Sequence, residues 1–131
     1  AEALGVDCIN QGYAGSAFME ALVAEYMVSR KDWDFATLEL GINMLGTSIS
    51  DEEYEQRVIK FLDFFAKDGR SVFVTDIFGN NQNNQERAKV FREIIYRNAT
   101  AKNMFYTNGL HLLDRDYKRY TSGPGVNCYK M

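Results

Sequence analysis

Two glycine-bearing turns and one histidine hold the residues of this 131-residue chain whose types and spacing suit chemistry. The first turn is Asn10-Gln11-Gly12-Tyr13-Ala14-Gly15-Ser16, between a short apolar run and a helical pattern. Glycine there permits close backbone approach to a ligand, and amides at a helix start stabilise negative charge. The same residues also suit a plain strand-to-helix turn. The second turn is Gly41-Ile42-Asn43-Met44, where an asparagine amide can donate to a developing oxyanion. Asn43 is equally a common turn former. His111 is the one histidine, and Glu39 and Asp76 are carboxylates that interrupt apolar runs, suited to a helix terminus or a basic partner. One histidine without a C-x-x-C pair argues against a metal centre. No G-x-G-x-x-G or Walker A pattern is present, so no nucleotide is implied and no cofactor is expected.

The elements that must hold these residues follow from hydrophobic periodicity. Val6–Asn10 reads as a short strand. A helix is expected over about Ala17 to Ser29, capped by Ser16, with Phe18, Leu22, Val23, Tyr26 and Met27 on its inward face. Phe35–Leu40 reads as a second strand. Ser50-Asp51-Glu52-Glu53 fits an S-x-x-E capping box, in which side chains and backbone amides bond reciprocally. The helix that follows turns Tyr54, Val58, Phe61, Leu62 and Phe65 inward and stops at Gly69. Ser71–Phe78 has a nearly continuous apolar centre, as expected of a parallel strand covered on both faces. Gly79–Asn84 reads as a loop, about Gln85 to Asn98 as a helix burying Ala88, Phe91, Ile94 and Ile95, and Met104–Thr107 as a last strand. The tail from Asp114 is charged, then glycine-rich, and shows no periodicity. The basic and aromatic cluster of Arg115, Tyr117, Lys118, Arg119 and Tyr120 is too short to argue for nucleic acid. Asp51, Glu52, Lys60, Lys67, Arg87, Lys89 and Arg92 read as solvated helix faces.

Alternating strands and helices with crossover-length spacings imply an α/β fold, a three-layer α/β/α sheet of parallel strands. Hydrophobic residues are 46% and charged residues 25% of the chain, the balance of a single globular domain. The net charge of −3 gives no support for nucleic acid or an anionic membrane surface as partner. No apolar run approaches the roughly 18 residues of a membrane span. Cys8 and Cys128 lie at opposite ends and do not make a disulfide framework; Cys8, in an apolar run, reads as a buried free thiol, and the compartment stays open.

Taken together, I-N-Q-G-Y-A-G-S, a helix, and T-L-E-L-G-I-N-M resemble the SGNH (GDSL-type) hydrolase family. The likeness is to members whose second and third motifs read roughly N-x-G-[FY]-x-G and L-G-x-N-M. The 28 positions from Gly15 to Asn43 also suit that family. The resemblance implies a flavodoxin-like sheet and a serine esterase acting on small acyl esters, carbohydrate O-acetyl esters among them. It further implies that Gly15 supplies a backbone amide and Asn43 a side-chain amide to an oxyanion hole, beside a serine nucleophile and a histidine base.

Two departures shape the expectation. The family's G-D-S nucleophile motif precedes its glycine motif, whereas here AEALGVDCI contains no serine. The late D-x-x-H-P motif has two alignments. Asn108-Gly109-Leu110-His111-Leu112 matches it with Asn for Asp and Leu for Pro, making His111 the base. Alternatively, Tyr106–Leu113 matches the preceding strand and G-x-x-L-L turn, and Thr121-Ser122-Gly123-Pro124-Gly125 falls where the Asp and His would stand. The leucine pair and the later Asp116-Tyr117 and Thr121 fit this second alignment, in which His111 is structural. The expectation is therefore one incomplete domain over residues 1–131, with the first strand of the sheet missing and supplied by residues outside this sequence or by another chain. A non-catalytic α/β ligand-binding module that keeps the loop of Asn43 as a pocket is the alternative. A flavin or phosphate binder at Gly12–Ser16 would leave Asn43 without a role.

Overall fold

Three short segments pair side by side as parallel strands: β1 (Phe35–Glu39), β2 (Ser71–Thr75) and β3 (Phe105–Thr107), in that spatial order. This is a computed structural model, and it describes residues 2–12, 15–80 and 84–112. Phe35 stands opposite Ser71, Glu39 opposite Thr75, and Phe73 and Thr75 opposite Phe105 and Thr107. Each crossover is helical: α2 (Asp51–Asp68) joins β1 to β2, and α3 (Gln85–Ala101) joins β2 to β3. Right-handed crossovers advancing in one direction put both helices on one face of the sheet. A helix α1 (Ala21–Ser29) precedes β1 and lies against α2, and a single turn α4 (Gly109–Leu112) follows β3. The fold class is thus the expected one, α/β with an open parallel sheet flanked by helices, consistent with a flavodoxin-like arrangement.

The core lies between the sheet and α2 and α3. Leu38, Val72 and Val74 point into it from the strands, with Tyr54, Val58, Phe61, Leu62 and Phe65 from α2 and Ala88, Phe91, Ile94 and Ile95 from α3. These are the helix positions that the 3.6-residue period selects. Tyr54 and Phe91 stack at 3.5 Å between ring centroids and lock α2 to α3. Gly69 ends α2 in the left-handed conformation, as expected.

Several expectations are corrected. Val6–Asn10 forms no strand: Val6 and Ile9 lie exposed, with no neighbouring strand among the described residues to pair them, and Cys8 is exposed rather than buried. Cys128 lies outside the described residues, as does the tail from Leu113. The first long helix starts at Ala21, not about Ala17, because Met19 takes a positive φ of 57°. Glu20, not Ser16, stands at its N-cap position. Its packed face is Ala24, Met27 and Val28, and Leu22 (78% exposed), Val23 and Tyr26 look outward. With α2 as its main neighbour, α1 needs only a narrow stripe, so the apolar pattern exceeds what is buried. β2 ends at Thr75 and, among the described residues, is covered on one face only, Val72 and Val74 being buried and Phe73 41% exposed.

Arg87 and Arg92 are not solvated. Arg87 donates to the carbonyls of Leu45, Thr47 and Ile49, and Arg92 to those of Ile77 (2.9 Å) and Phe78. The capping box is half made: Ser50 Oγ accepts from the Glu53 amide at 3.1 Å, while the Glu53 carboxylate turns to Arg57.

Candidate functional site

Ligands of open α/β sheets bind beyond the carboxyl ends of the strands. Glu39, Gly41, Asn43, Asp76 and Gly109 all gather at that end of this sheet. After β1 the chain turns at Gly41 in a left-handed conformation (φ 104°) and enters a 3-10 turn, Ile42–Met44. A side chain at 41 would lie 2.7 Å from Tyr54 Oη and 2.9 Å from Ile77 Cγ1, so the turn needs glycine twice over. The turn buries Ile42 and Met44 and leaves Asn43 half-buried between them.

Asn43 Nδ2 donates to the carbonyl oxygen of Ala17 at 3.4 Å. The bond links Asn43 to the residue that directly follows the first turn, two residues beyond Gly15. Gly15 has a φ of 75° and lies exposed, and in the same stretch the Gly12 amide donates to Asn10 Oδ1 at 2.8 Å. His111 is not part of this grouping. It is exposed on α4, beyond β3, and β3 lies two strand spacings, roughly 10 Å, from β1.

Between the two lies a buried carboxylate. Asp76, directly after β2, is fully buried and accepts from the Gly109 amide at 2.6 Å and from the Tyr106 hydroxyl. Burial pushes its carboxyl up; those two hydrogen bonds and the charges of Arg92 and His111 act in the other direction. A side chain at Gly109 would come within 2.6 Å of the Asp76 carbonyl oxygen, so α4 starts flush on the end of β2. Glu39, on the open face of the sheet, is pushed up to about 7 by the protein crowded around it and by the charge of Asp76. Solvent on that face tempers the effect. Beneath Gly41 the Tyr54 hydroxyl is buried with no hydrogen-bond partner among the described residues. Burial, then the charges of Asp76 and Glu39, raise its pKa far above that of a free phenol.

Next along the chain from Asn43, an open groove of about 280 Å³ lies between Phe18, residues 44–49 and the start of α2. Phe18, Met44 and Ile49 give it apolar walls, and Thr47, Ser48, Glu53 and Arg57 give it polar ones. The wall at 45–49 is held from α3, by Arg87 and by Asn84 Nδ2 on the Leu45 carbonyl at 2.9 Å. Nothing in the sequence singled this groove out; the one signal was Arg57 standing four residues after Glu53 on a helix. No cluster of three or more metal-ligating side chains occurs among the described residues. No described helix is long and apolar enough to cross a membrane. No protein-family model matches the chain, and no curated protein or solved structure matches it either.

Proposed function

We propose that this chain is the oxyanion-hole part of an SGNH-type serine ester hydrolase acting on small acyl esters. The observation that carries the reading is the half-buried Asn43 amide at the carboxyl end of β1, reaching the segment that follows Gly15. In an ester hydrolase the carbonyl oxygen gains negative charge as the tetrahedral intermediate forms. Amides already held in place stabilise that charge without reorganising solvent. The 3.4 Å bond from Asn43 to Ala17 is long, so an incoming oxyanion can take its place at small cost.

The nucleophile comes, on this reading, from a strand outside this sequence that pairs with β1. Among the described residues β1 is an edge strand on the side away from β2, so one row of its backbone groups is free to pair. His111, exposed beside the end of β3, is the base in one alignment of the late motif and structural in the other.

The test is hydrolysis of 4-nitrophenyl acetate by the chain joined to whatever coding sequence precedes Ala1. Turnover should be abolished by a serine-directed phosphonate, and Asn43→Ala should lower kcat by about 100-fold or more. His111→Ala then separates the alignments, because a base loses a comparable factor and a structural histidine does not. Saturable ligand binding without turnover would replace the hydrolase reading by the binding module.

A further inference from the structure

We infer that the chain associates head to tail with a second copy of itself. The outward side of α1 on one copy, Leu22, Val23 and Tyr26, docks on the row of Phe35, Phe73 and Phe105 on the other copy's sheet, with Arg30 facing Glu39. Neither surface includes Asn43 or His111, so the inference stands apart from the hydrolase reading.

The sheet side asks for a helix. By the strand register, its open face carries three phenyl rings, a set of hydroxyls and one charged strand residue, Glu39. All-parallel sheets are packed by helices on both faces in nearly every α/β protein. The rings run diagonally across the strands, with centroids 5.9 Å apart from Phe35 to Phe73 and 4.8 Å from Phe73 to Phe105. Side chains four residues apart on a helix stand about 5 to 6 Å apart, whereas those on one face of a strand stand about 6.6 Å apart. A helix laid along the row therefore seats successive side chains between successive rings.

Among the described helices, α1 leaves the largest apolar side outward. Leu22 and Tyr26, four residues apart, are 78% and 54% exposed, and Val23 is exposed beside them. One copy cannot bring its own two surfaces together, because α1 lies against α2, which covers the opposite face of the sheet. The six side chains together expose roughly 600 Å². With the polar residues around them the contact reaches about 1,000 Å², the size of a weak, concentration-dependent complex.

Charge selects α1 over a second ring row. Ring row on ring row would enclose Glu39 with no cation from either sheet face to meet it. On α1 it meets Arg30, at the end of the helix beside Tyr26. Arg30 Nη1 donates to the Tyr26 hydroxyl at 3.2 Å and Nε to Asp32 at 2.9 Å. A guanidinium carries five N–H donors in a planar fork, so Arg30 can serve Asp32 and Glu39 together.

Sedimentation equilibrium of the chain at pH 8 tests this. The unaltered chain should self-associate with a Kd of about 10 to 300 µM. Leu22→Asp, and Thr37→Arg on the ring-bearing face, should each leave monomers with an unchanged circular dichroism spectrum. Phe105→Ser serves as the sheet-side variant if Thr37→Arg alters that spectrum. Mixed one to one, the α1 variant and the sheet variant should associate again, because each keeps the surface that the other lacks. Glu39→Lys should weaken self-association by about fivefold or more. A chain that stays monomeric up to about 1 mM overturns the inference. So does a dimer that Leu22→Asp leaves intact, which would be ring row on ring row. A mixture of the two variants that stays monomeric, or a Glu39→Lys chain that associates as tightly as the original, overturns it as well.

Discussion

Tyr54 shows how a single atom bears on stability in this protein. Its ring is fully buried and stacked on Phe91, but its hydroxyl has no partner among the described residues. An unsatisfied buried hydroxyl forfeits its hydrogen bonds to water. Tyr54→Phe should therefore stabilise the fold by about 1 kcal/mol, read as a higher urea midpoint at unchanged slope. Gly41→Ala should do the opposite. It forces a Cβ into a left-handed conformation and within 2.7 Å of the same hydroxyl, at a cost of about 2 to 3 kcal/mol. The carboxyls at this end of the sheet tie stability to pH. A carboxyl whose pKa is raised by folding holds its proton more tightly in the folded state. Its contribution is present at low pH and is lost as pH rises through the interval between the unfolded and folded values. For Glu39 that interval opens at about 4.3 and reaches toward about 7, narrowed by the solvent on its exposed face. The urea midpoint should accordingly fall between pH 5 and pH 8, and Glu39→Gln should flatten the dependence. A midpoint that rises over this range would show that Glu39 is not the controlling group.

At the scale of elements, the exit from α1 depends on one side chain far away in sequence. No basic residue stands in the last turn of α1. Arg70, at the start of β2, instead donates to the carbonyls of Val28, Arg30 and Trp33 at 2.9 to 3.1 Å. Its guanidinium lies 3.3 Å from the centroid of the Trp33 ring and pairs with Asp68 through two bonds. A lysine cannot reproduce a planar fork that serves several carbonyls and stacks on a ring. Arg70→Lys should cost about 2 kcal/mol, and the fluorescence of Trp33, the one tryptophan, should shift to the red as α1 loosens. An unchanged emission maximum would show that Arg70 does not hold this junction. Arg87 plays the same part for residues 45–49, which form one wall of the groove. Both arginines look like ordinary surface charges in a linear reading, because the carbonyls they serve lie about 40 positions away.

Among the described residues the protein is asymmetric across its sheet. One face is packed by α2 and α3, and the other carries a row of rings, Phe35, Phe73 and Phe105, that are 43%, 41% and 57% exposed. Phe73 sits between the other two, edge-on to Phe35 at 5.9 Å and stacked on Phe105 at 4.8 Å. The row and the free edge of β1 are the kind of surface that attracts hydrophobic probes and other chains. The chain should bind 8-anilinonaphthalene-1-sulfonate in its native state, and Phe73→Ser should reduce the fluorescence by about half. Equal fluorescence from the variant would place the probe elsewhere, the outward side of α1 with Leu22, Val23 and Tyr26 being the next such surface.

The fold class, the two long helices, the buried face of each and the three paired strands were legible in the sequence. Each rests on local periodicity and capping, which neighbouring residues determine. The turn at Gly41 was legible as well, since glycine declares its backbone role locally. Tertiary structure alone decided the rest. It left Val6–Asn10 unpaired, because a strand exists only where a neighbour completes its hydrogen bonds. It kept Met27 of α1 packed but turned Leu22, Val23 and Tyr26 outward, and among the described residues it left one side of β2 open, because apolar residues are buried only where something covers them. It also carried Asn43 to Ala17 and set Glu53 and Arg57 beside Phe18. Those meetings depend on how the chain crosses the end of its sheet, and residue spacing does not encode that.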